Sequence, residues 1–201
     1  TYDGAHGWNT EWPRIRDIGE EDLLMSMHGM FWRFPKNFSS KNPRGLAPRS
    51  SYLKVVGDFC RWQDRIALGC DDATRSVFSN RRQAKDSIAD TQSQSNLWFL
   101  QPEQLDELGP VSARGGVWLR DDVKRGTVSE PMLLNGFARR SVYLTHEGER
   151  PAIITIQILR DEKWVKVQSA SISPGKALWL DLTEESKGCH WVRVRAESTI
   201  A

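Results

Sequence analysis

Helical periodicity is nearly absent from this 201-residue chain, and that absence narrows its fold more than any single motif does. Only "PEQLDELG" (102–109) reads as a short helix, with Pro102 in its first turn and Gly109 as its stop. Everywhere else apolar residues alternate or run together between Gly, Pro, Asn and Asp, which is the pattern of strands and turns. The expected class is all-β.

The clearest unit is "SYLKVVGDFCRWQDRIALGCDD" (51–72), which a two-residue turn at Gln63-Asp64 folds into a hairpin. Val55, Gly57, Phe59 and Arg61 then lie opposite Ile66, Leu68 and Cys70, while Val56, Cys60 and Trp62 lie opposite Ala67 and Gly69. Both faces are largely apolar, so the hairpin is expected to be covered on both sides. In this register Cys60 and Cys70 leave on opposite faces and cannot bond to each other.

"DLLMSMHGMFWRFP" can be laid over "SYLKVVGDFCRW", with Leu24 on Leu53 and Met30 on Phe59, and "SQSNLWFL" (93–100) is a weaker echo. Read as one strand, the first stretch puts Leu24, Ser26, His28 and Met30 on one face and Met25, Met27, Gly29 and Phe31 on the other. Stacked sheets with loosely repeated aromatic strands are what propeller blades look like, and each blade takes roughly 40–50 residues. Residues 1–110 therefore read as about two blades or more of a partial β-propeller. The expectation is a piece of a longer protein, with flanking blades of the same chain needed to close the ring. Residues 36–50 and 73–92 read as long polar, basic connections, either solvated excursions or functional loops.

From about Gly115 seven short segments follow at regular spacing: "GGVWLRDDV", "PMLLNGF", "RSVYLTH", "AIITIQIL", "WVKVQSASI", "ALWLDL" and "HWVRVRA". That spacing predicts a small β-sandwich-like module over 111–201, with a tight hairpin at "LRDEKW" and a Pro174-Gly175 turn at "SPGK".

Composition excludes some classes. The 28 basic residues are interspersed with 26 acidic ones, and a net charge of +2 makes no case for nucleic acid. No run of eighteen apolar residues suggests a membrane span. Three cysteines match no zinc spacing, and His6, His146 and His190 stand alone, so no metal or cofactor is expected. Nine tryptophans are the outlier, pointing to aromatic packing or to faces that stack on sugars.

The stretches "WPRIRDIG", "MHGMFWRFP", "YLKVVGDFCRW…GCDD" and "QSNLWFL…LGP" resemble bacterial β-propeller proteins that handle polysaccharides, including propeller glycoside hydrolases and polysaccharide lyases. The segment "RRSVYLTHEGERPAIITIQI", with "WVKV" and "HWVRVR", is similar to sandwich-like segments attached to such propellers. The resemblance implies an oligo- or polysaccharide partner and leans towards a periplasmic or secreted location. Catalysis in that class typically falls to a His with a Tyr or Arg at one end of the central channel.

The residues offer their own candidates. His28 interrupts an apolar run before Gly29, and can be a general acid or base, a sugar ligand, or a structural histidine within the sheet. Arg33 and Arg49 lie beside Trp32 and Tyr52, which pairs guanidinium groups suited to uronate carboxylates with aromatic faces suited to sugar rings. Arg61 beside Trp62 reads better as Arg–Trp stacking between blades. Asp58, in mid-strand, needs a partner and is a further substrate-binding candidate. Asp71 and Asp72 point to opposite sides of a strand and form no acid/base dyad. Gln92, Gln94 and Asn96 suit sugar hydroxyls or a polar loop. The expected function is an enzyme cleaving a complex, uronic-acid-containing polysaccharide by hydrolysis or lyase chemistry; the alternative is a non-catalytic carbohydrate-binding or scaffold protein.

Overall fold

The computed structural model describes residues 12–52, 54–72 and 96–200. The chain is all-β, with several antiparallel sheets and none closed; among the described residues its one helix is a 3₁₀ helix, Pro102–Asp106. Two compact units divide between Val111 and Ser112. The predicted loop 73–92, Gln92, Gln94 and His6 lie outside the described residues.

The first unit begins with a four-stranded meander, β1 (Arg14–Arg16), β2 (Leu23–Met27), β3 (Met30–Phe34) and β4 (Ala47–Ser51), paired in chain order. The single strand expected across "LLMSMHGMFW" is instead a hairpin. His28 and Gly29 form its tip, at φ 52° and 74°. Positive φ at both central residues is the signature of a type I′ turn, whose twist matches that of the flanking strands. Met27 therefore pairs with Met30, Ser26 with Phe31, and Met25 with Trp32. The reversal changes the faces: Leu24 and Ser26 share theirs with Phe31, and Met30 joins Met25 on the other. Apolar residues on both sides of His28 hid the turn, because only one of its two central residues is a glycine. The same reversal breaks the overlay of Met30 on Phe59, since the two residues sit in opposite arms of their hairpins.

The second sheet is a three-stranded meander of β5 (Lys54–Trp62), β6 (Arg65–Asp72) and β7 (Asn96–Leu100). Its turn falls at Gln63-Asp64 as expected, with Trp62 opposite Arg65 and Cys60 opposite Ala67. Beyond Asp58 the register shifts by one residue at Gly57, so Val56 rather than Gly57 lies opposite Cys70. Such a bulge turns the side chains beyond it to the other face. Val56 thereby joins Phe59, Ile66, Leu68 and Cys70 in a core shared with Ile18, Leu24, Phe31 and Tyr52 of the first meander. Each large side chain fully buried there contributes about 1.5–3 kcal/mol.

The expectation that both faces of the hairpin are covered does not hold. Cys60 is exposed, and Trp62, Leu97 and Phe99 keep 58%, 67% and 42% of their surface in solvent. Apolar alternation marks which face can be buried, but only a stacked neighbour removes it from water. Cys60 and buried Cys70 are both free thiols.

The second unit holds β8 (Met132–Leu133), β9 (Ser141–Thr145), β10 (Ala152–Arg160), β11 (Lys163–Ile172), β12 (Ala177–Asp181) and β13 (Trp191–Ala196). Strands β11-β10-β13-β8 form one sheet and β12-β9 another. Ile154, Ile156, Ile158, Val192 and Val194 of the first meet Leu180 of the second in one core, with Val142, Leu144 and Leu178 packed against it. The "LRDEKW" hairpin turns at Asp161-Glu162, φ 47° and 65°, and "SPGK" closes through a Lys176 N–H to Ser173 carbonyl bond of 3.1 Å with Gly175 at φ 64°. "GGVWLRDDV" is not a strand. Among the described residues its only sheet-like pairing is an isolated bridge from Val123 to Ile200, and Arg120 sits at φ 57°, which breaks extended backbone.

Candidate functional site

The predicted site residues of the first unit fall in different environments. His28 is exposed at the β2–β3 tip, in a turn and not in a strand. Trp32 is buried on the face opposite Arg33, with its indole N–H 3.4 Å from the Met27 carbonyl. Tyr52 is buried as well, its ring centroid 4.4 Å from that of Phe31. Asp58 accepts a 2.8 Å bond from Arg16 and another of 2.8 Å from the Phe59 N–H. Arg61 donates to the carbonyls of Gln63 and Ile18 at 2.8 and 3.2 Å, in place of the expected stacking on Trp62.

Arg33 and Arg49 do come together, on Asp106. Arg33 Nη2 lies 2.6 Å from Asp106 Oδ1. Arg49 meets the same carboxylate through Nε at 2.8 Å and Nη2 at 3.0 Å, meets Glu20 at 2.7 and 3.1 Å, and reaches the Pro102 carbonyl at 3.0 Å. Its side chain is 3% exposed. Burial alone would lower the Arg49 pKa, but hydrogen bonds and charge from Asp106 and Glu20 outweigh it and raise the value. Burial likewise would raise the Asp106 carboxyl, and Arg49 and Arg33 outweigh it and hold it below the ordinary carboxylate range. Both ends of this cluster are supplied by the protein, so its first consequence is to fasten β3 and β4 to the 3₁₀ helix. Sequence reasoning missed Glu20 and Asp106. The available signal was that a buried arginine requires carboxylates.

A more open chemistry lies in the second unit. Alternation along β9 and β12 sends Val142, Leu144, Leu178 and Leu180 inwards and Tyr143 and Trp179 outwards. Tyr143 and Trp179 are directly paired across the strands, with ring centroids 6.1 Å apart at an interplanar angle of 61°. They are 61% and 67% exposed. Ser141 opposite Asp181 and Thr145 opposite Ala177 complete that face. Asp181 Oδ1 accepts the Thr183 N–H at 2.8 Å. The Thr183 hydroxyl bond, the backbone bond and the Arg139 charge together hold the carboxyl of Asp181 below its usual range. This pair was legible in "SVYLT" and "ALWLD", where each aromatic sits between two inward-facing aliphatic residues.

Among the described residues no three His, Cys, Asp or Glu side chains are grouped to hold a metal ion, and no helix is long and apolar enough to cross a membrane. Comparison of the chain with family models, curated proteins and solved structures returned no match.

Proposed function

We propose that this chain binds complex carbohydrate, with the Tyr143–Trp179 pair as its stacking platform. The exposed, strand-paired aromatics carry this reading. Two adjacent rings on the outer face of a sheet waste apolar surface in water unless a ligand covers them. The C–H face of a sugar ring is such a cover, and its hydroxyls can bond to Ser141, Thr145 and Asp181 around the rim. Covering roughly 50 Å² of aromatic surface contributes about 1.2 kcal/mol at 25 cal/mol per Å², so tight binding takes several stacked units and their hydrogen bonds. In this reading residues 112–200 form a sandwich-like recognition module, and the two meanders of the first unit are blade-like sheets of a polysaccharide-handling propeller.

Binding is favoured over turnover because Arg33, Arg49 and Asp58 are already engaged by protein partners. The test is affinity electrophoresis against a panel of soluble polysaccharides, together with a reducing-end assay. At least one polysaccharide should retard the wild type, and Trp179→Ala should weaken that interaction about tenfold while leaving the melting temperature within about 2 °C, since an exposed side chain is removed. Retardation that survives loss of both aromatics would overturn the platform. Release of new reducing ends would move the reading to the enzymatic form, with His28 the first residue to replace.

A further inference from the structure

The outer face of the four-stranded sheet carries an arginine whose chemistry is unfinished. Arg193 stands in the middle of β13, opposite Gln157, and Gln157 stands opposite Lys166 on the next strand. The Nε of Arg193 donates to Gln157 Oε1 at 2.7 Å, and its guanidinium carbon lies 4.2 Å from the Trp164 ring centroid. These two contacts orient the planar head and use one N–H and one face. Among the described residues no carboxylate pairs with Arg193, and its two terminal nitrogens donate to no protein acceptor. Burial first, and the neighbouring charge of Arg195 second, pull the pKa of Arg193 downwards, the reverse of what a carboxylate partner produces. Arg195 meets Glu197 only at 3.9 Å, and it and Lys166 leave this face cationic.

We propose that Arg193 is the anchor of a carboxylate-binding subsite for uronate residues of an acidic polysaccharide. A held guanidinium with both Nη groups open matches the two oxygens of a carboxylate bidentately. Lys166 and Arg195 attract the anion without competing for the fork. The amide N–H groups of Gln157, on the same face and left over by its bond to Arg193, suit sugar hydroxyls, and so the occupant is a sugar acid and not a simple anion. The proposal rests on the carbohydrate reading above but uses a different sheet, and the two can fail separately.

The experiment is calorimetric titration of the full chain with oligogalacturonate, with the same oligosaccharide after reduction of its carboxyl groups, and with poly-glutamate. Wild-type protein should prefer the acidic sugar by about tenfold or more, the scale of a hydrogen-bonded charge pair, and the preference should shrink as salt rises to about 0.5 M. Arg193→Lys and Arg193→Gln should abolish the preference while leaving the affinity for the reduced oligosaccharide unchanged. The Lys variant keeps the charge and loses the fork, which separates recognition from general attraction; circular dichroism and melting of each variant separate it from misfolding. Equal affinity for charged and reduced sugar, or full binding by Arg193→Gln, would overturn the subsite. Equal binding of poly-glutamate would overturn the sugar assignment. Absence of Trp179-dependent binding to any sugar would instead overturn the platform.

Discussion

Arg49 and Arg193 are the same residue in opposite circumstances. Arg49 is buried with its donors divided among Asp106, Glu20 and the Pro102 carbonyl. Arg193 is stacked on Trp164 and bonded once, to a neutral amide. Protein carboxylates raise the pKa of the first, whereas burial and a second arginine lower that of the second. Arginine that is saturated within the fold holds elements together. Arginine that is oriented but unsaturated can still meet a ligand. Proximity to an aromatic residue in the sequence, which drew attention to Arg33 and Arg49, does not separate the two cases.

The contrast breaks most sharply on stability. Replacing Arg49 by Met leaves Glu20 without its cation and Asp106 with Arg33 alone, and should cost about 2 kcal/mol in urea unfolding. Arg193→Met removes a cation–π contact and one hydrogen bond at a half-buried site, and should cost about 1 kcal/mol. Similar losses for both would mean that Arg193 is structural too.

Acid provides the next comparison. The folded-state carboxyl of Asp106 is depressed, so its contribution is fully present above the unfolded value of about 3.9 and is lost as pH falls through the folded value. Stability measured from pH 5 downwards should therefore decline more steeply in the wild type than in Asp106→Asn. With the Asp106 side chain 43% exposed, solvent screening keeps the difference small. Arg193→Gln should leave this acid slope unchanged, because no carboxylate faces Arg193 among the described residues.

The smallest effect belongs to His28, which joins neither arginine. A non-glycine residue at φ 52° in the first position of this hairpin tip is strained, and Asn tolerates that conformation better. His28→Asn should raise stability by about 0.5 kcal/mol, read from the urea midpoint at unchanged slope. A clear loss would show that the imidazole itself supports the fold.

Legibility follows from range. The Gln63-Asp64 hairpin and its Cys60–Ala67 pairing were readable because turn spacing and period-two alternation act over neighbouring residues. The outward Tyr143 and Trp179 were readable in the same way, although only their pairing across β9 and β12 makes them a platform. The His28-Gly29 reversal was missed despite being local, because apolar residues resume on both sides of it and only one of its two central residues is a glycine. The one-residue bulge at Gly57 was missed because alternation carries no mark of an unpaired residue, yet it decides that Val56 enters the core.

By itself, then, the sequence determined an all-β chain, the strands from Ser141 to Ala196 and most of their inward faces, since side-chain alternation and turn residues are short-range properties of the backbone. Tertiary structure alone decided which charges meet. Glu20 and Asp106 lie 29 and 57 residues from Arg49 and reach it only when a loop and a 3₁₀ helix are brought to β4. With 26 acidic residues interspersed among 28 basic ones, no local pattern selects that pair or leaves Arg193 without one among the described residues; the stacking of sheets does, because it alone sets distances between segments remote along the chain.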